Sequence, residues 1–415
     1  MRVLLLHNRY RLHGGEDAVV ASEARMLRQM GVEVLESTFT NDVEPEHSLR
    51  GTLRLGLRSS WSRDSYRQIR RLCDDFRPDI AHTHNFWMEM SPSVHRACRE
   101  RGAATVQTLH NFRLLCSNAL LKRKGTVCED CVGKLPWRGV VRRCYRDSLV
   151  ASLAVSRMII ANRVRSTWDR DVDAFIALSE HSRQKFIQGS LPGDKILVKP
   201  NFVEDPGKAA SLPSASGTVL YAGRLSEEKG VKVLISAWAH GRLGRRAKLL
   251  IVGDGPERAA LEFQAAALNL RAPEVVFAGP QPAGEVMRLM SHARVVVMPS
   301  LFYECFPRTL GEALACSRPV IVSQIGALSE IVSDGFGMRF PALNHALLAD
   351  AISRVIEDGE LADRLGSAAR QEYLARYTPE QNFRALIRIY RFALEQRGKR
   401  LPIELEHVQP TGVTA

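Results

Sequence analysis

The chain has 415 residues, of which 45% are hydrophobic and 25% charged, a composition typical of soluble globular proteins. This length exceeds a single ordinary core and favours two domains. No segment approaches about eighteen consecutive apolar residues, and the N-terminus lacks the long apolar stretch of a secretory signal, so neither a membrane span nor export is expected. These features predict a cytoplasmic protein whose eight cysteines stay reduced.

The net charge of +13 is concentrated in the first half of the chain. Residues 1–200 contain 33 Lys and Arg against 22 Asp and Glu, which gives +11, and the remainder contributes +2. The excess is greatest from Arg113 to Arg165, with twelve basic and three acidic residues. This segment favours an anionic partner, such as the inner membrane face or a phosphorylated acceptor, although solvated surface charge is the simpler explanation. No nucleic-acid-binding motif is recognisable, so no nucleic acid partner is predicted.

Short apolar, β-branched segments alternate with longer helical patterns along the whole chain, which is typical of parallel βαβ units. The predicted strands of the first half are 3–8, 32–38, 79–84, 105–109 and 174–179. Those of the second half are 218–223, 248–253, 275–279, 294–299 and 319–323. The predicted fold class is therefore α/β, with two Rossmann-like domains that each contain a doubly wound parallel sheet.

A segment rich in Pro, Gly, Ser and Ala at residues 191–217 indicates a linker between the two domains. The predicted boundaries are 1–198 for the first domain, 199–377 for the second, 378–400 for a helix that packs back across both, and 401–415 for a tail. Two such domains facing each other would form a cleft at the carboxyl ends of their strands, where these sheets bind ligands.

Glycines and cations follow several predicted strands. A glycine pair in HGGED (13–17) would let backbone amides approach an anion, although a tight turn uses glycine too. Arg224 and Lys229 follow the strand at 218–223 and would suit a diphosphate if they converge; the alternative is two solvated loop cations. In IVGDGPER (251–258) the last residue is Arg where a dinucleotide fingerprint needs glycine, which argues against a nicotinamide dehydrogenase.

Two carboxylates, Glu304 and Glu312, flank Pro307, a residue suited to the first turn of a helix. Glu312 would then lie roughly 7 Å into the helix. Helical side chains tilt toward the N-terminus, so Glu312 can lean back toward the loop that contains Glu304. Both carboxylates can therefore address one ligand, while the free amides of residues 308–310 receive its electronegative groups.

In order and spacing, these segments resemble the retaining family 4 glycosyltransferases with the GT-B fold. The most specific part is Glu304 and Glu312 as E-x7-E, together with the glycine turn that precedes them. The resemblance extends over nearly the whole chain. Besides HGGED, it rests on HTHN (82–85), TLHNFRLLC (108–116), ALSEHSR (177–183), GRLSEEKG (223–230), VGDGPE (252–257) and ECFPRTLGEALACSRPVI (304–321).

The resemblance implies that a nucleotide diphosphate-sugar binds mostly against the second domain and that the acceptor approaches from the first. Glu312 would accept hydrogen bonds from the ribose hydroxyls, and Glu304 would bind hydroxyls of the transferred sugar. Arg224 and Lys229 would neutralise the departing diphosphate, where fixed positive charge stabilises the developing negative charge.

Three further residues receive roles from the same resemblance. His110 would lie beside the reacting sugar, Gly15 would give the diphosphate close backbone access, and Phe306 would belong to the donor site. A buried structural histidine is the alternative for His110. Because the leaving phosphate oxygen can take the acceptor proton, transfer with retention needs no strong general base, and this fold type normally uses no catalytic metal.

Two segments resemble metal sites. Residues 169–180 nearly match a calcium loop, but Ala174 replaces the required glycine and the segment is predicted to be a buried strand, so calcium is not expected. Near residues 113–147 an insert contains a C-x11-C-x2-C-x12-C pattern that can close a structural zinc site, the alternatives being a disulfide or reduced thiols. Its members are Cys116, Cys128, Cys131 and Cys144. The remaining thiols are interpreted as core or loop residues: Cys73, Cys98, Cys305 and Cys316.

The sequence thus predicts a retaining glycosyltransferase that moves a hexose-type sugar to a hydroxyl of a saccharide or lipid-linked acceptor in cell-surface polysaccharide or glycolipid synthesis. The apolar stretch 148–165 could rest on an anionic membrane or form a core helix. A sugar-nucleotide epimerase of the same fold and a non-catalytic nucleotide-sugar binding protein are the alternatives. A glycoside hydrolase would have no need for Arg224 and Lys229.

Overall fold

The computed structural model describes residues 1–9, 14–40, 56, 58–207 and 209–402. These residues form two units. Unit 1 contains the described residues up to Leu121, Cys128–Pro200 and those from Glu380 onward, and unit 2 contains Lys122–Val127 and the described residues of Asn201–Pro379. His13 of the HGGED segment and most of the predicted tail lie outside the described residues.

Unit 1 is built on a six-stranded sheet in the order β2-β1-β3-β4-β7-β8, in which all neighbouring strands are parallel. The strands of the first half of the chain are β1 (Arg2–Arg9), β2 (Glu33–Thr40), β3 (Ile80–Asn85), β4 (Ala104–Leu109), β5 (Lys122–Arg123), β6 (Thr126–Val127), β7 (Ala174–Ala177) and β8 (Ile196–Val198). The central strands β3 and β4 are buried along their whole length, as expected for parallel strands covered on both faces. The hairpin β5–β6 lies within the cysteine-containing insert and is grouped with unit 2.

Helices cover this sheet, and side-chain caps define several of their starts. They are α1 (Gly15–Gln29), α2 (Arg63–Phe76), α3 (Ser93–Glu100), α4 (Trp137–Val141), α5 (Leu149–Val164), α6 (Thr167–Arg170) and α7 (Glu180–Gln188). At α5, the Ser148 hydroxyl accepts a hydrogen bond from the Ala151 amide. One face of α5 is buried in unit 1, while Leu149, Leu153 and Val164 are exposed. None of the helices in the described ranges is long and apolar enough to cross a membrane.

Unit 2 contains a second six-stranded parallel sheet, in the order β11-β10-β9-β12-β13-β14. Its strands are β9 (Thr218–Ala222), β10 (Lys248–Val252), β11 (Val275–Gly279), β12 (Val295–Met298), β13 (Val320–Ser323) and β14 (Gly337–Phe340). Its helices are α8 (Val231–His240), α9 (Arg258–Ala267), α10 (Ala283–Ser291), α11 (Arg308–Ala315), α12 (Gly326–Ile331), α13 (His345–Glu357) and α14 (Gly359–Arg376). The fully buried Trp238 anchors α8 in the core of this unit.

The last helix, α15 (Pro379–Glu395), returns the chain to unit 1. Its buried residues include Phe383, Leu386 and Ile389, which lie three residues apart and form an apolar stripe along the helix. The predicted fold class of two Rossmann-like parallel-sheet domains is confirmed. The sequence analysis missed the sixth strand of each sheet, β8 and β14. β8 has only three residues, and the four residues of β14 include a glycine and an arginine, so neither forms a continuous apolar run like those of the other short strands.

Each sheet has a point where the strand order reverses, between β1 and β3 in unit 1 and between β9 and β12 in unit 2. Doubly wound sheets bind ligands at the carboxyl ends of the strands on either side of such a point. Functional side chains are therefore expected in the loops that follow these four strands.

Candidate functional site

In unit 2, two strand ends meet at backbone-contact distance. A Cβ on Gly253, whose φ is +134°, would lie 1.9 Å from the Gly223 carbonyl oxygen, so only glycine fits there. The Leu225 amide donates to the Asp254 carbonyl at 2.9 Å, and the Glu257 amide donates to the Leu225 carbonyl at 2.9 Å. The glycine turn after β10 therefore fixes the loop that contains Arg224 and Lys229.

The same loop is attached to the loop that follows β12. A Cβ on Gly230 would lie 1.9 Å from the Pro299 carbonyl oxygen, and the Leu301 amide donates to the Glu228 carbonyl at 2.8 Å. This contact places Lys229 beside Glu304, with 2.6 Å between Nζ and Oε1. Two loops that are about seventy-five residues apart in sequence thus supply one ion pair.

Glu304 is held by two donors. Besides Lys229, the Ser300 hydroxyl donates a hydrogen bond of 2.8 Å to the same oxygen, Oε1. The Glu304 side chain is 11% exposed and that of Lys229 is 26% exposed, so the pair is partly shielded but open to solvent. An ion pair with this exposure can exchange partners with a ligand.

Glu312 lies in α11 and has its own cation. Its Oε1 is 3.2 Å from Nη2 of Arg308, one helical turn earlier. Burial raises the pKa of Glu312, and the nearby Arg308 guanidinium opposes that shift. The sequence predicted Pro307 in the first turn of a helix. In the structure Pro307 is the N-cap residue of α11, one position before that turn begins.

Arg224 and Phe306 occupy contrasting environments. Arg224 is exposed, and its guanidinium forms no ion pair with any residue that the structure describes; its carbonyl accepts a hydrogen bond of 2.9 Å from the Tyr221 hydroxyl. The Phe306 ring is buried and packs against Tyr377, with 5.3 Å between ring centroids. Arg224 is thus free to meet an anion, whereas the Phe306 side chain supports the loop from behind.

In unit 1, the glycine pair lies at the start of α1, after β1. The Gly14 amide donates to Oδ2 of Asp17 at 2.9 Å, and Oδ1 of Asp17 lies 2.8 Å from Nε2 of His7, which is on β1. A Cβ on Gly14 or Gly15 would have no heavy atom within 4 Å. Packing within the described chain therefore does not require glycine at either position.

His110 follows β4 and contacts a second histidine. Its Nε2 lies 3.0 Å from Nδ1 of His84, and the two rings stack at 5.3 Å between centroids. Burial lowers the pKa of both imidazoles, that of His84 to about 4. A shallow pocket beside His110 is lined also by Asn85, Trp87 and Arg113.

Behind His84 lies a buried charged cluster that the sequence analysis did not single out. Glu23 of α1 approaches His82 Nδ1 at 3.1 Å and His84 Nε2 at 3.2 Å through Oε1, and Lys199 Nζ at 3.0 Å through Oε2. Glu23, His82 and His84 are the one group in the described residues whose ligand atoms lie close enough to hold a metal ion. The Lys199 ammonium already neutralises the carboxylate, so a divalent cation there would face an adjacent positive charge.

The four cysteines of the insert lie in unit 1, and none of them forms a disulfide in the described chain. Burial raises the pKa of Cys131 to about 11, and the other three thiols act on it electrostatically. In the described chain no three of their sulfurs lie within 4.8 Å of one another. Sulfurs bound to one tetrahedral zinc lie about 3.8 Å apart, since each Zn–S bond is about 2.3 Å. The arrangement does not fit zinc, and that prediction rests on sequence spacing alone.

The fold and the loop geometry define a class, namely proteins of the GT-B architecture. Two solved structures support this class over nearly the whole chain. Anabaena HepE in complex with UDP matches with a TM-score of 0.66 and 19% identity, over 94% of this chain and 99% of that one. Sucrose-phosphate synthase from Thermosynechococcus elongatus matches with a TM-score of 0.69 and 20% identity, over 94% and 98%. At such identities the likeness establishes the fold.

Sequence comparison gives the family. Residues 13–205 match glycosyltransferase family 4, and residues 208–372 match the glycosyl transferases of group 1. The chain belongs to the family 4, group 1 glycosyltransferases.

Individual relatives differ in how much they share. Glycogen synthase of Mycobacterium tuberculosis is 29% identical over 396 residues, which covers 90% of this chain and 82% of that protein. The α-D-kanosaminyltransferase of Streptomyces kanamyceticus is 33% identical over 175 residues, 42% of this chain. That match spans only 45% of the kanosaminyltransferase, and a similar match to an uncharacterized glycosyltransferase of Methanocaldococcus jannaschii spans 46% of it.

Proposed function

We propose that the protein transfers a hexose-type sugar from a nucleotide diphosphate-sugar to a hydroxyl acceptor, with retention of the anomeric configuration. The observation that carries this proposal is the Lys229–Glu304 ion pair at the point of strand reversal in unit 2. It combines a cation for a diphosphate with a carboxylate for sugar hydroxyls. Family membership supports it, as do the HepE structures, one with UDP and one with UDP-glucose.

Different residues of unit 2 bind different parts of the nucleotide diphosphate-sugar. Glu312 accepts hydrogen bonds from the ribose hydroxyls, and its pairing with Arg308 leaves the other carboxylate oxygen for the ligand. Glu304 binds hydroxyls of the transferred sugar. Arg224 and Lys229 neutralise the diphosphate, and because charge builds up there as the sugar leaves, these cations stabilise the transition state more than the ground state.

Unit 1 contributes His110 beside the transferred sugar and Gly15 to the diphosphate. Among the described residues, no heavy atom lies within 4 Å of a Cβ at Gly15, and close approach of a ligand to the backbone would account for glycine at this position. The acceptor proton passes to the leaving phosphate oxygen on the same face of the sugar. This route requires no catalytic metal and no separate strong base.

For the acceptor we propose a saccharide or lipid-linked saccharide of cell-surface glycan synthesis. Related folds include the lipopolysaccharide galactosyltransferase WaaB and Staphylococcus aureus TarM, the latter crystallised with α-GlcNAc-glycerol. The basic stretch from Arg113 to Arg165 would attract an anionic membrane carrying such an acceptor. Sedimentation with anionic liposomes tests this: binding must weaken as salt rises, and equal recovery with neutral liposomes contradicts it.

The donor is identified by thermal unfolding against a panel of nucleotide diphosphate-sugars. A donor at 100 times its dissociation constant adds about 2.7 kcal/mol to stability. The stabilising donor is then used in a transfer assay whose product anomer is read by NMR. Glu304→Ala, Glu312→Ala and Lys229→Ala should each abolish transfer while the protein stays folded.

Each other outcome has a defined meaning. An epimerised donor would indicate an epimerase, and binding without any turnover across an acceptor panel would indicate a binding protein. An inverted anomeric product would refute retention. Full transfer activity in all three variants would refute the assignment of the site.

A further inference from the structure

The cluster behind His110 is a chain of contacts between buried polar side chains. His82 and His84 are two positions apart on β3, so both project to the same face of the sheet, and their rings stack at 4.3 Å between centroids. On that face Glu23 contacts both rings, and all three side chains are at most 2% exposed. Oε1 of Glu23 and Nε2 of His84 form no aligned hydrogen bond with any described residue. The short contact distances and the charge of Glu23 therefore determine which proton positions are favourable in this cluster.

The first link fixes the charge of Glu23. The Lys199 ammonium donates to Oε2 of Glu23 at 3.0 Å and to Oδ1 of Asn382 at 2.9 Å. Burial alone raises the pKa of Glu23, but Lys199 and the two imidazoles outweigh it and hold that pKa well below its ordinary value. Glu23 is therefore an ionised carboxylate, which can only accept hydrogen bonds.

The second link fixes the proton on His84. Oε1 of Glu23 lies 3.2 Å from His84 Nε2. The two atoms do not form an aligned hydrogen bond, but a proton on Nε2 turns an N–H instead of a lone pair toward the anionic oxygen. This favours the Nε2-protonated form of a neutral His84. Its Nδ1 is then an acceptor, and the atom 3.0 Å away is Nε2 of His110. His110 must in turn place its proton on Nε2 and donate it to His84.

The last atom in this series of contacts is Nδ1 of His110. With the proton on Nε2, Nδ1 carries a lone pair and can only accept. No residue that the structure describes forms a hydrogen bond with this Nδ1. The series of contacts from Lys199 to His110 thus leaves Nδ1 of His110 able to accept a hydrogen bond from an incoming hydroxyl.

We propose that Glu23, held by Lys199, is a positioning residue that acts through His84 to keep His110 in the Nε2-protonated form, so that His110 presents an acceptor to a hydroxyl of the bound sugar. This inference rests on the proposed function, which places His110 at the sugar. It disfavours a metal at Glu23, His82 and His84, because the Lys199 ammonium already compensates the carboxylate through Oε2. It also gives Glu23 a role in activity that requires no contact with substrate.

The test uses Glu23→Gln. Lys199 can only donate, so the amide oxygen of the new side chain turns to it and the amide NH₂ turns to the histidines. His84 Nε2 must then accept, its proton moves to Nδ1, and the proton of His110 moves from Nε2 to Nδ1. The sugar hydroxyl could then only accept a hydrogen bond from His110, whereas in the unmodified protein it donates one, so its orientation would change.

Tautomers are read from long-range ¹H–¹⁵N spectra of histidine-labelled full-length protein without ligand, with signals assigned through His84→Gln and His110→Gln. We expect His110 to be Nε2-protonated in the unmodified protein and Nδ1-protonated in Glu23→Gln. With the donor that stabilises the unmodified protein, kcat/KM of Glu23→Gln should fall on the order of tenfold or more, with unchanged affinity for the nucleoside diphosphate alone. His95→Gln, at another buried histidine of unit 1, is the matched control and should keep the tautomer of His110.

An Nδ1-protonated His110 in the unmodified protein overturns the inference, and this measurement needs no variant to fold. An unchanged tautomer in Glu23→Gln overturns it as well, and a reversed tautomer with unchanged kcat/KM overturns the role in activity. The spectra require no substrate. Failure of the proposed function, seen as no transfer by the unmodified protein, is therefore distinguishable from failure of the proton chain.

Discussion

Replacing Lys229 by Met separates the contribution of this residue to turnover from its contribution to stability. The change keeps the length of the side chain but removes the ammonium that lies 2.6 Å from Oε1 of Glu304. The two side chains are 26% and 11% exposed, so after discounting for solvent the ion pair contributes about 1 kcal/mol to folding. A domain stable by about 5–15 kcal/mol stays folded after such a loss.

The expected effect on turnover is larger. Removing one preorganised charge at a site where negative charge develops lowers kcat/KM on the order of 100-fold, which corresponds to about 2.7 kcal/mol. Steady-state kinetics with the identified donor and thermal unfolding of the same preparation measure both quantities. The loss of activity should exceed what any unfolding at the assay temperature explains.

The matched control is Lys232→Met. Lys232 also forms an ion pair in unit 2, with 2.5 Å between its Nζ and Oε2 of Glu257, but at a more exposed position in α8. We expect near-normal kinetics and a similar, small change in stability. A Lys229→Met enzyme whose kcat/KM stays within about threefold of normal would refute the reasoning, as would equal losses in both variants.

Three other predictions follow from burial, pKa and spacing. Lys199→Met leaves Glu23 as an uncompensated buried charge and should lower the free energy of unfolding by about 3–5 kcal/mol in urea titrations. In the unmodified protein the folded pKa of Glu23 is lowered, so the contribution of Glu23 to stability is present above pH 4.5 and is lost as pH falls below it. A stability of the unmodified protein that does not change over this pH range would contradict this. Because burial raises the pKa of Glu312, nucleotide affinity should weaken as pH falls, beginning above 4.5, and calorimetry of Glu312→Gln should lack this titration. Metal analysis of protein purified without added zinc decides the insert: one zinc per chain supports a site, and none with four reactive thiols excludes it at Cys116, Cys128, Cys131 and Cys144.

The long strands and the E-x7-E segment could be predicted from the sequence because each carries a local signal. Apolar runs mark the central strands, and Pro307 correctly separates the loop of Glu304 from the helix of Glu312. The residues that bind Glu304 and Glu312 within the protein were harder to predict from the sequence. Arg308 lies four residues before Glu312 and could have been found from helix spacing, whereas Ser300 needed the fold of the loop after β12.

The proton chain was missed although part of its signal was present. Glu23 occupies the same face of α1 as the buried Val19, Val20 and Leu27, where a carboxylate requires a partner. Two histidines also lie in the strand predicted at residues 79–84, and the structure buries this strand completely. Lys199 could not be found in this way, because a lysine near a predicted linker is ordinarily solvated and only the fold brings it to Glu23.

The Lys229–Glu304 and Lys199–Glu23 pairs have the same chemistry but different exposure, and exposure decides what each can do. Lys229 and Glu304 retain 26% and 11% of their side-chain exposure, so a diphosphate and a sugar can each take a share of the pair. Lys199 and Glu23 retain 2% and 1%, so no ligand reaches them and neither charge can be exchanged. A buried ion pair that cannot exchange its partners can still orient neighbouring side chains. Glu23 contacts His84, and His84 is hydrogen-bonded to His110. One pair is therefore suited to binding, and the other to fixing the position of a proton.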